Sequence, residues 1–330
     1  MSLVEAGVVS SAAEGFSGLI GAASEAKNTL HLRLPATSAN LGPGFDTLGL
    51  ALTMGLEIDA TPAPEFSLKA TGRNSDICSA LRRNLLLDVY QKTLAANGAE
   101  LVPLSLDIHN EIPVGMGCGS SAAVRLAGIA LANHFGGLGW SRERILTEAS
   151  LLEGHPDNAA ACWLGGLTVA SLDEGQVSVL KIVPPVLWRI LLVMPEKPLA
   201  TMAARSVLPA SYSRADAVYN IQRASLLTAA FAAGRGDLLQ AAMQDRLHQP
   251  FRGEICPLLP RLSPLAGNDG VLGVALSGAG PSVLLVVEER CAMADVRARV
   301  LEQTASNIPV DLLECGIETS PAVVLATMGN

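Results

Sequence analysis

Pro113-Val114-Gly115-Met116-Gly117-Cys118-Gly119-Ser120-Ser121-Ala122-Ala123 carries the densest chemistry in the chain. Three glycines spaced by two lead into two serines. A run rich in Ala, Leu and Ile follows over residues 122–134 and reads as a helix. The alternating segment before it, residues 104–108, reads as a strand. Glycines let the backbone curl and turn several N–H groups the same way. The helix start adds a partial positive charge, so the stretch suits phosphate oxygens. Its serine hydroxyls can cap the helix or reach a metal ion. The plain alternative is a glycine-rich turn with a serine cap. The stretch holds no lysine and is not a Walker A loop, nor is its even spacing the dinucleotide fingerprint. A phosphate held here would rely on backbone dipoles and a metal ion.

Three further loops concentrate polar groups. Residues 35–46 pack two prolines, two glycines, Thr37, Ser38, Asn40 and Asp46 into a stretch without helical periodicity, which reads as a shaped loop. Residues 153–158 bring together Glu153, His155, Asp157 and Asn158, and residues 277–281 are again glycine-rich. Each alone reads as turn caps, a surface histidine or a solvated helix-end acid. Four in one chain point instead to a common site.

The elements around them alternate irregularly, which suits α+β better than a doubly wound sheet. Strands are expected at residues 30–34, 56–60, 67–71, 167–171, 187–194, 270–276, 282–287, 310–314 and 322–327. Helices are expected at 84–97, from Ser141 to about Glu153, just after residue 158, and at 215–233, 236–246 and 292–303. The length of 330 residues fits two domains or one large one, and 49% apolar residues can fill a sizeable core. A net charge of −8 argues against a general nucleic-acid binder. Six scattered cysteines, with no C-x-x-C pair and no zinc spacing, suit free thiols in a reducing compartment. No apolar run is long enough for a membrane span, so no membrane partner is expected. Residues 1–28 match neither a secretory signal nor a transit peptide and read as a poorly ordered or helical extension.

Together the four loops resemble the GHMP kinases, and among them the homoserine kinases. Residues 35–46, Pro-Ala-Thr-Ser-Ala-Asn-Leu-Gly-Pro-Gly-Phe-Asp, resemble the N-terminal signature, and residues 113–122 the ATP loop. Residues 153–158, Glu-Gly-His-Pro-Asp-Asn, and 277–282 resemble the two later motifs, in the same order. The resemblance spans about residues 30–327. It implies the α+β GHMP kinase two-domain fold, with ATP and substrate in the interdomain cleft. The N-terminal domain would cover residues 29–190 and the C-terminal domain 191–330. It implies transfer of the ATP γ-phosphate to the side-chain hydroxyl of L-homoserine, in a cytoplasmic enzyme, commonly a homodimer, of threonine biosynthesis.

Residue by residue, the resemblance implies that Pro113 to Ala123 hold the phosphates. Ser121, with Ser120 as second choice, and Glu153, with Glu148 in reserve, would ligate Mg²⁺. Asp46 would take the substrate ammonium, and Arg205 and Arg252 the carboxylate, whose geometry the guanidinium fork matches. Asn40, His155 and Asn158 would hydrogen-bond the substrate. Asn158, Thr201 and Arg205 form the implied catalytic set. An amide is no base, so the hydroxyl proton is expected to leave late, to a phosphate oxygen or water, with Asp157 the alternative acceptor. Asn84 is expected near the nucleotide. Cys118 replaces the motif's usual leucine and is read as a packed thiol, the alternative being a reactive thiolate shielded by ATP. Another acceptor, such as mevalonate, and a non-catalytic binding module are the competing readings.

Overall fold

The computed structural model describes residues 28–199, 201–304 and 308–328. The expected N-terminal extension therefore lies outside the described residues, apart from Asn28, which opens the first strand.

Strand β1 (Asn28–Asn40) pairs antiparallel with the long β2 (Gly44–Pro62) around a three-residue turn. Leu30, Leu32 and Leu34 alternate into the core. Residues 35–46 are thus a hairpin rather than a free loop. Register shifts at Pro35/Ala36 and Ala39/Asn40 absorb the turn-forming residues, while pairing with residues 44–52 satisfies the backbone. Next come β3 (Ser67–Gly72), α1 (Ser75–Cys78) and α2 (Leu85–Ala96). Asn84 caps α2, its side chain accepting from the N–H groups of Leu86 and Leu87. Strand β4 (Leu104–Asn110) then leads through the glycine stretch into α3 (Ser120–Phe135). Helix α4 (Arg142–Glu153) starts at the expected Ser141 cap and ends at left-handed Gly154. After α5 (Asp157–Leu164) come β5 (Leu167–Asp173) and β6 (Gln176–Ile182). The sequence reading gives no strand at 176–182, although Val177 and Val179 do alternate with polar neighbours.

The second half begins with β7 (Trp188–Pro195), α6 (Thr201–Ser206) and α7 (Arg214–Ala233). The helix expected over residues 236–246 shrinks to a 3₁₀ turn and α8 (Leu239–Ala242). Its continuation fails because the Asp245 carboxylate takes the N–H groups of Leu247, His248 and Gln249, a local alternative to helical pairing. Helices α9 (Gln249–Arg252) and α10 (Leu258–Leu262) follow, then β8 (Val271–Leu276), β9 (Val283–Glu288), α11 (Met293–Thr304), β10 (Val310–Gly316) and β11 (Val323–Met328).

Two sheets result. One runs β11-β1-β2-β4-β3, with β5 and β6 branching from the near end of β2; the other runs β10-β7-β9-β8. A cut near residue 190 separates the sheets except for β11, which returns to pair with β1. Helix α3 is buried along most of its length, from Ala122 to Ala132, so its N-terminus is a fixed point.

Helix α5 is held as firmly. Trp163 is 1% exposed, donates from Nε1 to the Arg142 carbonyl at 3.0 Å, and lies under the Arg142 guanidinium. On β2, Gly49 touches the start of α5 so closely that a Cβ would stand 2.2 Å from the Asp157 carbonyl. The indole therefore sets where Asp157 and Asn158 point. Trp163→Ala is expected to cost about 3–5 kcal/mol, measured as a lower urea midpoint for unfolding.

Candidate active site

The glycine stretch gets its shape from alternation. Gly115, Gly117 and Gly119 all have φ between 72 and 74, and the residues between them do not share that left-handed conformation. Such alternation gathers successive N–H groups into an anion-binding concavity. The carbonyls meanwhile turn outward to three donors: Leu199 N–H reaches Gly115 O, Ser277 Oγ reaches Gly117 O, and Thr37 N–H reaches Cys118 O, while the Val114 N–H donates to Asn74 Oδ1. Close packing explains the glycines. A Cβ on Gly117 would meet the Ser277 carbonyl at 2.2 Å, and one on Gly119 would meet Thr37 Oγ1. Neither serine caps α3, whose N-cap is Gly119. The serine hydroxyls stay available for other partners.

Ser121 Oγ donates to Glu153 Oε1 at 2.9 Å. That spacing matches the edge of an octahedron with metal–oxygen bonds of about 2.0–2.1 Å, so the expected hydroxyl and carboxylate fit Mg²⁺. Glu148, the reserve ligand, pairs instead with Arg144 on the α4 surface. Asp46, His155 and Asp157 also bring potential ligand atoms within 4.8 Å of one another. Those atoms already have partners: Asp46 is gripped by Arg205, and His155 by Asp157. The Ser121–Glu153 pair, by contrast, adjoins the glycine loop.

Across the same cavity lie the residues expected to hold an amino acid. Arg205 Nη1 and Nη2 donate to Asp46 Oδ2 and Oδ1 at 3.1 and 2.6 Å. The Phe45 ring packs near two guanidinium groups, 5.5 Å from that of Arg205 and 5.4 Å from that of Arg252. Arg252 is 1% exposed, and its Nε and Nη1 are fixed by the Ala204 carbonyl and by His248 Nδ1. No described residue hydrogen-bonds its Nη2, and Arg252 lines the cavity. Asn40 lines the cavity as well. Its Nδ2 donates to Gly278 O and its Oδ1 accepts from Asp46 N–H, so the side chain mainly braces Asp46. Thr201 opens α6, but its side chain lies outside the described residues.

Asn158 has one side committed. Its Oδ1 accepts from Thr37 Oγ1 at 2.7 Å, and its Nδ2 leans 3.3 Å from Asp157 Oδ1. One N–H of its amide has no described partner and can face a ligand hydroxyl. Cys118 is 1% exposed, and burial pushes its thiol up to about 12, as expected of a packed thiol rather than a reactive one.

A second, more apolar pocket shares Gly115, Ser120 and Ser121 with the first. Its walls include Leu56, Leu86, Ile108 and Val124, and Asn84 stands at its edge. The glycine loop thus separates an apolar chamber from a charged one.

Residues 84–166 match the GHMP kinases N terminal domain, and residues 227–305 match the GHMP kinases C terminal domain. A homoserine kinase of Solibacter usitatus is 40% identical over 304 residues, covering 91% of this chain and 100% of the relative. One of Desulfitobacterium hafniense is 36% identical, covering 90% and 100%. The chain belongs to the homoserine kinase family of the GHMP kinases. In fold it is similar to the crystal structure of homoserine kinase from Cytophaga hutchinsonii, with a TM-score of 0.76 at 24% identity over 93% of this chain and 100% of that one.

Within this homoserine kinase fold, three site residues escape the sequence reading. Thr37 fixes the Asn158 amide, Phe45 packs near the two arginines, and Arg125 bridges Ser121 and Glu153. Thr37 and Phe45 sit inside a recognised motif. Arg125 lies one turn beyond one, on the same helix face as Ser121, and that i, i+4 spacing was its only signal.

His155 Nδ1–H donates to Asp157 Oδ1 at 2.5 Å. Burial pulls the His155 imidazole down, but the hydrogen bond and charge of Asp157, with Asp46 beyond, outweigh burial and the opposing Arg205, so it titrates above 6.5. A group raised on folding stabilises the native state below its unfolded value and loses that contribution as pH climbs through the folded one. The stability gap between this protein and His155→Gln should be widest below about pH 6.5 and close at higher pH. Urea unfolding across pH 5.5–9 (roughly, the histidine range) checks this, and a gap that widens with pH would contradict it.

Proposed function

We propose that the protein is a homoserine kinase that moves the γ-phosphate of ATP to the side-chain hydroxyl of L-homoserine, giving O-phospho-L-homoserine for threonine biosynthesis. The observation that carries the reading is the placing of the Asp46–Arg205 pair, with Arg252 behind it, across one cavity from the alternating glycine loop. An amino acid brings one ammonium and one carboxylate. It can trade places with the internal ion pair, giving Asp46 the ammonium and Arg205 and Arg252 the carboxylate, with no charge left unpaired. Mevalonate would leave Asp46 without a cation, which is costly in a half-buried site.

ATP would lie with its base in the apolar pocket beside Asn84 and its phosphates on the N–H groups of residues 113–123. Ser121 and Glu153 would hold Mg²⁺, which when bound neutralises charge on the phosphates. Asn158, with its oxygen held by Thr37, would point an N–H at the substrate hydroxyl oxygen and orient it for in-line attack. His155 would share a hydrogen bond with the substrate while Asp157 fixes its ring. No free base meets the hydroxyl. Its proton leaves late, to phosphate oxygen or water, because phosphoryl transfer asks mainly for positioning and charge neutralisation. By resemblance to its family we also place the enzyme in the cytoplasm as a homodimer, with neither nucleic acid nor membrane as partner.

A coupled assay of ADP release with L-homoserine, D-homoserine, L-serine, L-threonine and mevalonate tests the reading, and turnover on L-homoserine alone is expected. Arg205→Ala and Asp46→Asn should each raise KM for homoserine roughly thirtyfold or more, the worth of one charge-assisted hydrogen bond of about 2 kcal/mol. Preferred turnover on mevalonate would overturn the substrate assignment. An Asp157→Asn variant that binds both substrates normally yet loses turnover would overturn the baseless mechanism.

A further inference from the structure

Glu153 is 9% exposed at its side chain, and its carboxylate faces one full positive charge, the guanidinium of Arg125, which is 22% exposed. A single nitrogen, Arg125 Nη1, donates to both Ser121 Oγ and Glu153 Oε1. These are the two oxygens whose 2.9 Å separation suits a divalent cation. Of the other basic groups, His155 Nε2 stands 3.9 Å from Glu153 Oε2 with its Nδ1 given to Asp157, and Arg205, paired with Asp46, acts on that carboxylate from farther across the cavity. The guanidinium therefore contacts both of the groups that would hold the metal. Arg125 is neither part of the glycine loop nor among the residues lining the charged cavity. It reaches the pair from one helical turn away.

We propose that Arg125 is a built-in substitute for the divalent cation: it keeps Glu153 and Ser121 paired when no metal is there, and it competes with the metal for the same two oxygens. This rests on the reading of Ser121 and Glu153 as the metal ligands. Two consequences follow from charge. A carboxylate of low exposure needs a cation at all times, and Arg125 supplies one that cannot diffuse away. A free divalent ion must displace a guanidinium, so it binds weakly by itself. When it arrives with a polyphosphate, the phosphates bound by the glycine loop add to its hold, and the displaced Arg125 turns out to solvent. The metal site is thereby tuned to accept the metal–nucleotide complex over the bare ion.

The test is Mn²⁺ binding to the full chain, read from the free-ion signal in electron paramagnetic resonance, with and without a non-hydrolysable ATP analogue. Without nucleotide, Arg125→Met and Arg125→Gln should bind Mn²⁺ about tenfold more tightly or better than the parent, the factor one adjacent opposite charge commonly exerts on a carboxylate. Arg125→Lys, which keeps the charge, should stay near the parent, and adding Glu153→Gln to Arg125→Met should abolish the gain. Equal or weaker Mn²⁺ binding in both neutral variants overturns the proposal. A measurement on the unaltered protein guards against misfolded variants: phenylglyoxal labelling of Arg125, located by mass spectrometry, should rise several-fold (about the displaced fraction) when Mn²⁺ and the analogue are added. No change in that labelling also overturns it. Absence of Mn²⁺ binding even with the analogue would instead remove the metal-site reading itself, which separates that failure from this one.

Discussion

The structure depends on keeping a run of backbone N–H groups unspent. A phosphate loop without lysine has no mobile cation to offer, so its charge must come from peptide dipoles and the end of a helix. Peptide groups cannot be aimed inward unless their carbonyls are accepted elsewhere. That is why the loop is stitched by Leu199, Ser277 and Thr37, which come from three distant parts of the chain. The two sheets meet at this loop, and the packing of one against the other serves as its frame. The burial of α3 has the same purpose, since a helix dipole is useful to a ligand only where the helix end cannot move.

A second regularity runs through the charged half of the site. Asp46 has Arg205, Asp157 has His155 and Glu153 has Arg125. Glu153 and Asp157 are buried enough that an absent partner would cost about 3–5 kcal/mol, the usual measure of an uncompensated buried charge, while the more exposed Asp46 would lose less. Binding is then an exchange of partners in which no charge is left bare, and discrimination comes from whether the incoming ligand carries the matching set. Neutral His248 marks the edge of this arrangement. Burial holds it below its ordinary value, and it braces Arg252 without adding a charge of its own.

Much of this was legible in the residues. Ser141 marks a helix start by its own chemistry, and the structure places it at the start of α4. The four polar loops stood out in composition, and the fold brings them to one cavity. Legibility failed where a long-range partner overrode a local signal. Residues 35–46 look like a loop because their turn formers are local, whereas their pairing with β2 is not. The truncated helix after Gly236 turns on one carboxylate, Asp245, whose capture of three N–H groups no periodicity reveals. Arg125 went unnoticed because its partner Glu153 is 28 positions away, and only the packing of α3 against α4 makes them neighbours.

The return of β11 to the edge of β1 makes the first sheet a structure of both ends of the chain. A ribosome would deliver its first strands hundreds of residues before the strand that covers them, at roughly 5–20 residues per second. Until that last strand emerges, β1 presents an unpaired apolar edge of the kind that invites pairing with other chains. The late-closing edge therefore makes assembly vulnerable during synthesis.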